Sequence, residues 1–301
     1  MEKKFWAGFF VFWPILAIAL CVVASGSDYR WWFPPNPAGS TPIEANQVIA
    51  PGGDYNYTAA SPLGRQIDDL FYLILYIVTI VFIGVNIALG YVLFRGAAEP
   101  EDGGKSLFTH GSHNLEVIWT IVPAGILLFI ALYQMDVWAQ YRVIANFPEE
   151  ARNAPIAEVT ARQFEWRIRY PGLDENGNPK KLQMDPQEGD LYTVNELHVP
   201  TGKPVMIYLR SQDVQHAFFL PELRVKQDAV PGLVIPVWFE ATQAGEYTFL
   251  CAELCGWGHY KMKARLVAEP ESKFADYLRD LRFEQNYDGV TPPAEVAAIE
   301  E

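Results

Sequence analysis

Hydrophobic positions are concentrated in the first half of this chain, in three uncharged stretches covering residues 5–24, 70–94 and 117–135. A helix built from residues 70–94 is roughly 37 Å long against a hydrocarbon core of about 30 Å, so this stretch predicts a membrane-spanning helix with length to spare for tilt. Residues 117–135 predict a second span, with Trp119 near one end and Tyr133 and Trp138 at the other, where amphipathic rings favour the interface. The stretch 5–24 follows Lys3 and Lys4 and ends in Ala24-Ser25-Gly26, which fits an N-terminal membrane anchor or a signal peptide. Its length is generous for a signal core, and we read it as a retained span. With Lys3 and Lys4 inside, three crossings leave residues 95–114 inside and everything after about 139 outside.

Beyond residue 156 the pattern changes to short β-rich runs at 158–170, 193–199, 205–210, 234–240 and 247–251, punctuated by turn signals such as Asn176-Gly177 and Thr201-Gly202. Such spacing predicts an all-β sandwich or barrel. Residues 271–282 read as a surface helix followed by a polar tail, and residues 25–69 as an external connection rich in Pro, Gly and Asn. The chain therefore divides into an N-terminal hydrophobic segment (1–26), an external insertion (27–66), a transmembrane helical hairpin (67–142), a β domain (143–270) and a C-terminal helix with its tail (271–301).

Composition sharpens this division. Hydrophobic types make up 50% of the 301 residues and charged types 20%, too apolar for one ordinary water-soluble domain. Residues 149–301 hold 25 Asp and Glu against 16 Lys and Arg, most of the formal net charge of −13. Nucleic acid is excluded as a partner by that sign. An acidic outer domain either simply stays soluble or speeds encounter with a basic protein. The three cysteines, Cys21, Cys251 and Cys255, make no disulfide framework.

The chemistry is carried by Cys251-Ala-Glu253-Leu-Cys255-Gly-Trp-Gly-His259-Tyr-Lys-Met262, with His216 lying 35 positions before Cys251 at the end of an apparent strand. Thiolate, imidazole and thioether ligands together favour copper over hard cations. A distant His with a clustered Cys, His and Met is the ligand pattern of a blue-copper site on a β-sandwich, and here one cysteine is added. A second thiolate in the same loop can bridge two coppers, and sharing both sulfurs spreads one electron over two metals. Other readings of the pair remain open from the residues alone: a disulfide, a zinc site, or the copper-binding pair of a membrane-anchored chaperone. His110 and His113 form a His-x-x-His in an inner loop without further ligands and are not read as a site. His198, at a strand end, reads as structural.

The motif Cys-x-Glu-x-Cys-Gly-x-x-His-x-x-Met, with Ser211-x-Asp213-Val214-x-His216 upstream, resembles the binuclear copper (CuA) motif of cytochrome c oxidase subunit II, of the haem-copper oxidase family. The resemblance extends through Leu223-Arg-Val-Lys-Gln-Asp-Ala-Val-Pro-Gly232 and to the membrane segment Glu116-Val-Ile-Trp119-Thr-Ile-Val-Pro123. It implies an α+β membrane protein: a transmembrane helical hairpin, here preceded by the N-terminal hydrophobic helix, followed by a cupredoxin-like all-β sandwich or barrel. It implies two copper ions bridged by Cys251 and Cys255, with His216 and His259 as terminal ligands, and Met262 and the carbonyl of Glu253 as axial ones. The carboxylate of Glu253 would also reach a magnesium ion at the boundary with subunit I. Glu116 would lie near the mouth of a proton pathway, though a favourable charge at a helix N-terminus explains it equally well.

The same resemblance implies a place in the cytoplasmic membrane of a bacterial-type cell, with the copper domain on the outer, periplasmic side. Partner subunits would include a haem-bearing subunit I that reduces oxygen to water coupled to proton pumping. Electrons would come from cytochrome c or another external redox protein. This chain has no Cys-x-x-Cys-His for covalent haem, so haem belongs to the partners. In one respect the chain departs from the pattern. The family's usual electron-receiving tryptophan falls on Phe164, within Gln163-Phe164-Glu165-Trp166, so that electrons would enter through Phe164 or Trp166, or both rings merely pack beside the metals. Asp213 and nearby acids are candidate donor contacts.

Overall fold

A computed structural model of the chain describes residues 2–25, 60–96 and 111–286. Most of the external insertion, His110 and the C-terminal tail therefore lie outside the described residues. Two units are distinguished, residues 1–35 with 67–138, and residues 36–66 with 139–301.

The first unit is helical. Helix α1 is Glu2–Ser25, α2 is Pro62–Gly96 and α3 is His113–Tyr133, with a short α4, Met135–Arg142, after a break at Gln134. Helix α2 begins well before the uncharged stretch at 70, because Arg65, Asp68 and Asp69 fit the polar end of a helix as readily as a loop. Among the described residues, Pro62–Arg95 and His113–Arg142 are long and apolar enough to cross a membrane, whereas the apolar part of α1, Phe5–Leu20, is shorter. Their apolar side chains stand exposed along both helices, as lipid-facing surfaces do. Where α1 meets α2, a Cβ at Gly90 would come within 2.4 Å of Val11 Cγ2 and 3.0 Å of the Ala7 carbonyl oxygen, so this glycine lets the two backbones approach.

The second unit is a β-sandwich of two five-stranded sheets. Its strands are β1 Ala157–Arg162, β2 Glu165–Tyr170, β3 Leu191–Val194, β4 Glu196–Pro200, β5 Val205–Ser211, β6 His216–Leu220, β7 Val225–Ala229, β8 Ile235–Phe239, β9 Gly245–Cys251 and β10 Lys263–Glu269. One sheet has the order β3-β2-β1-β5-β8 and the other β4-β10-β9-β6-β7. The pairs β1–β5 and β4–β10 are parallel and the rest antiparallel. Inward-facing side chains from both sheets, among them Trp166, Ile168, Leu197, Leu209, Phe218, Phe239 and Phe249, fill one continuous core. Helix α5, Glu271–Asn286, buries Phe274 and Leu278 against it and stacks Tyr277 on the His198 ring.

Several elements differ from the sequence expectation. The run 158–170 is two strands, β1 and β2, paired antiparallel as a hairpin. The run 193–199 divides at Asn195, whose φ of 58° turns the chain so that β3 joins one sheet and β4 the other. His216 opens strand β6 rather than ending one. His198 is a buried structural residue as expected, with its two ring nitrogens each 2.7 Å from a carboxylate oxygen, of Glu196 and Glu269.

Candidate metal centre

Two chain segments converge at one end of the sandwich: the start of β6 with the loop before it, and the loop between β9 and β10. Cys251 is the last residue of β9, and its backbone N–H still donates to Met262 O across the loop, at 3.2 Å. A 3-10 turn at His259–Lys261 then returns the chain to β10. These constraints hold a twelve-residue loop closed, so its ligands are ordered by the sheet and not by a metal alone.

The predicted ligands come together. Cys251 Sγ lies 3.8 Å from His216 Nδ1 and 3.2 Å from the carbonyl oxygen of Glu253. Cys255 Sγ lies 3.6 Å from His259 Nδ1 and 3.8 Å from Met262 Sδ. The two sulfurs are 3.9 Å apart, and both cysteines are free thiols, not a disulfide. Each sulfur thus has a nearest imidazole and a nearest weaker donor, and His259 also reaches Cys251. The ligand atoms of His216, Cys251 and Cys255 all lie within 4.8 Å of one another. Met262 is only 1% exposed, and its thioether is directed at a thiol where a core methionine would present only carbon.

The electrostatics prepare the set for a cation. Burial opposes the thiolate of Cys251, but hydrogen bonds from His216, from the backbone at Ala217 and Glu253, and from His259 outweigh it and bring its pKa down to about 6. Burial and then the neighbouring Cys251 charge push Cys255 up to about 12. The two neighbouring sulfurs therefore hold a single negative charge more readily than two. Burial works to lower the His216 pKa, yet its bonds to Cys251 and Asp213 raise it overall.

A second layer of contacts orients these ligands. Asp213 accepts a 2.8 Å hydrogen bond from His216 Nε2, which leaves Nδ1 facing the sulfur. The other carboxylate oxygen of Asp213 accepts from the Gln163 N–H at 2.8 Å, and Gln163 Nε2 donates to Cys255 O at 2.5 Å. Asp213, expected as a donor contact, is thus tied to a ligand. Gly256 and Gly258 matter sterically: a Cβ at Gly258 would sit 2.5 Å from Phe164 Cδ2, and one at Gly256 3.1 Å from Phe164 Cζ. Trp166 is wholly buried, packed on Phe249 and Phe218 with its ring 6.2 Å from that of His216. The sequence reading did not single out Gln163, Gly258 or Trp257. Of these, the glycines on both sides of Trp257 were the one available signal.

This donor set fits copper. Two thiolates, two imidazoles, a thioether and a carbonyl are soft and borderline ligands, and the thioether has no place in a structural zinc site. The chain also matches two family models in succession: "Cytochrome C oxidase subunit II, transmembrane domain" over residues 52–137, and "Cytochrome C oxidase subunit II, periplasmic domain" over residues 161–268. It is 34% identical to the alternative cytochrome c oxidase subunit 2 of Bradyrhizobium diazoefficiens, over 87% of this chain and 90% of that one.

The chain belongs to the cytochrome c oxidase subunit II family.

It is also 31% identical to cytochrome c oxidase subunit 2 of Cereibacter sphaeroides, covering 77% of this chain and 81% of the relative. Among solved structures, the periplasmic domain of subunit II of cytochrome oxidase from Bradyrhizobium japonicum matches with 26% identity and a TM-score of 0.36, over 43% of this chain and 94% of that one. The chain is accordingly a membrane protein with a periplasmic cupredoxin-like domain, and it serves as subunit II of an oxidoreductase complex. Membership in the family implies copper binding. Glu116 falls in the first turn of α3, and His113 is the first residue of that helix.

Proposed function

We propose that this subunit accepts electrons from an external one-electron donor protein, such as a cytochrome c, and delivers them to a haem-bearing subunit I that reduces oxygen to water and pumps protons. The observation that carries this reading is the arrangement of the donors around two adjacent sulfurs, each with an imidazole and a weaker ligand nearest to it. Six donors for a pair of ions leave no open position for a substrate, which favours relay over catalysis at the metal. His216, Cys251, Glu253, Cys255, His259 and Met262 would hold two copper ions. Bound there, the pair supplies a one-electron store whose charge is spread over both metals and both sulfurs.

The residues of the chain do the rest. The β9–β10 loop holds the ligands at their spacing before metal arrives, Asp213 fixes the His216 ring, and Phe164 packs against the loop at Gly256 and Gly258. The Glu253 carboxylate is a candidate ligand for a magnesium ion shared with subunit I, and Glu116 for a post at the mouth of a proton pathway. For the membrane, we propose three spans in a bacterial cytoplasmic membrane, α1 being retained. The fit of α1 on α2 at Gly90 supports this, since a segment destined for removal has no need of a matched surface.

Copper analysis with near-infrared spectroscopy on the full chain in detergent tests the reading. Two coppers per chain and a mixed-valence, purple centre are expected, and His259→Asn should abolish donor oxidation while leaving the chain inserted. A single colourless Cu(I), or a persistent Cys251–Cys255 disulfide under mildly reducing conditions with copper present, would overturn it.

A further inference from the structure

The aromatic residues around the metal ligands are not equivalent in their access to a donor. Trp166 has 0% of its surface exposed and lies beneath His216, so no docking protein can touch it. Phe164 is partly buried, its ring pressed onto the backbone of Gly256 and Gly258. The outer neighbour of Phe164 is Trp257, at 5.0 Å between ring centroids in an edge-to-face arrangement. Trp257 is 76% exposed, between Leu254 at 77% and Tyr260 at 75%.

Loop geometry accounts for that exposure. Trp257 stands two residues from Cys255 and two from His259, so its backbone is fixed by both ligands. Phe164 occupies the space beneath, and the glycines on either side let the loop lie against it. The indole then has nowhere to go but outward, where Lys261 Nζ lies 4.4 Å above the ring. Three large apolar side chains held in water on one short loop, directly over a candidate electron-accepting centre, mark a contact surface. The charge of the chain selects the partner as well. The chain has a net charge of −13, and Asp213 and Glu253 belong to the same site, which complements a basic protein with an apolar rim around its redox group.

We propose that Trp257 is the contact residue for the electron donor, a small basic one-electron redox protein that seats on the indole with Leu254 and Tyr260 at its sides. One electron leaves the donor, which is oxidised by one, and reduces the copper centre by one. No bond forms or breaks and no proton moves at Trp257. This rests on the electron-accepting reading above and names the residue through which the donor is met.

The test uses the full chain in detergent, copper-free and copper-loaded, with a small basic c-type cytochrome as the probe. Its Kd is measured by calorimetry for the wild type, Trp257→Ala, Trp257→Leu and Trp257→Phe, and reduction of the loaded chain is followed by stopped-flow absorbance. The alanine and leucine variants should bind the cytochrome about tenfold more weakly in both metal states, and phenylalanine within about threefold of wild type. Copper content and the near-infrared band should be unchanged in all of them, which shows that the loop has folded. Alanine and leucine variants that load copper and bind and oxidise the cytochrome like wild type overturn the inference. So does a copper-loaded wild type that binds no basic cytochrome, or a Trp257→Ala chain that keeps its donor affinity but no longer co-purifies with the other oxidase subunits. A wild type that takes up no copper instead overturns the electron-accepting function itself.

Discussion

Asp213 offers the sharpest check on how this centre is built. Its Oδ1 accepts from His216 Nε2 at 2.8 Å and from the Val214 N–H at 2.7 Å, while Oδ2 accepts from the Gln163 N–H at 2.8 Å. Replacing it with alanine leaves the Nε2–H of a wholly buried ring without a partner, which costs about 1–3 kcal/mol. The backbone donors of Gln163 and Val214 are more accessible to water and add little. The larger consequence is orientational. Without the carboxylate, nothing in this set of bonds keeps Nδ1 directed at Cys251, and loss of such outer partners weakens metal affinity by about 10–100-fold, or about 1.4–2.8 kcal/mol. Asp213→Asn should fall between, because one amide oxygen can still accept from His216 while its NH2 group meets the Gln163 N–H. Competition with a Cu(I) chelator measures the affinity, and thermal unfolding of the metal-free chain measures the stability. Copper affinity in Asp213→Ala within about twofold of wild type would refute the reasoning.

Four other outcomes can be checked independently. Copper loading near pH 7 should release protons, among them that of Cys255, whose thiol is held up near 12; calorimetry in buffers of different ionisation enthalpy counts them. The Glu196 carboxyl lies below its ordinary 4.5, since burial, which opposes this, is outweighed by bonds from His198 and Arg265. Its contribution to stability is therefore present above about 4.5 and lost as pH falls through the lower folded value, so urea titrations of Glu196→Gln should show a shallower acid-side loss. Gly258→Ala drives a methyl into Phe164 and should destabilise the domain by about 1–3 kcal/mol, seen as a lowered Tm, with Phe164→Ala in the same chain restoring part of it. Gly90→Leu should separate α1 from α2, and cysteines placed on the two helices should then cross-link poorly in the membrane compared with the wild-type background.

Much of this protein is legible without coordinates, for identifiable reasons. A span such as 70–94 declares itself because a bilayer demands an unbroken apolar run, a requirement local to the segment. The copper loop declares itself because five of its six donors lie within twelve consecutive residues, and soft ligands at that spacing have few other uses. Strands were harder. β6, His216–Leu220, is nearly all buried and shows no alternation, while β7 carries Lys226 and Asp228 and looks like a loop until its partner is known. The division of 193–199 between two sheets depends on Asn195 adopting a left-handed conformation, which its neighbours in sequence do not announce.

What the sequence determined by itself is the chemistry of the ligands and the presence of membrane helices, since both follow from residue types within short windows. Tertiary structure alone decided which sulfur faces which imidazole, and that Trp166 is enclosed while Trp257 is left in water. Those outcomes depend on how segments separated by 35 to nearly 100 residues pack, as when Gln163 reaches the carbonyl of Cys255 and Phe164 fills the space beside Gly258. Steric exclusion between distant parts of a chain leaves no mark on either part read separately, and that is why the exposed indole had to be found in three dimensions.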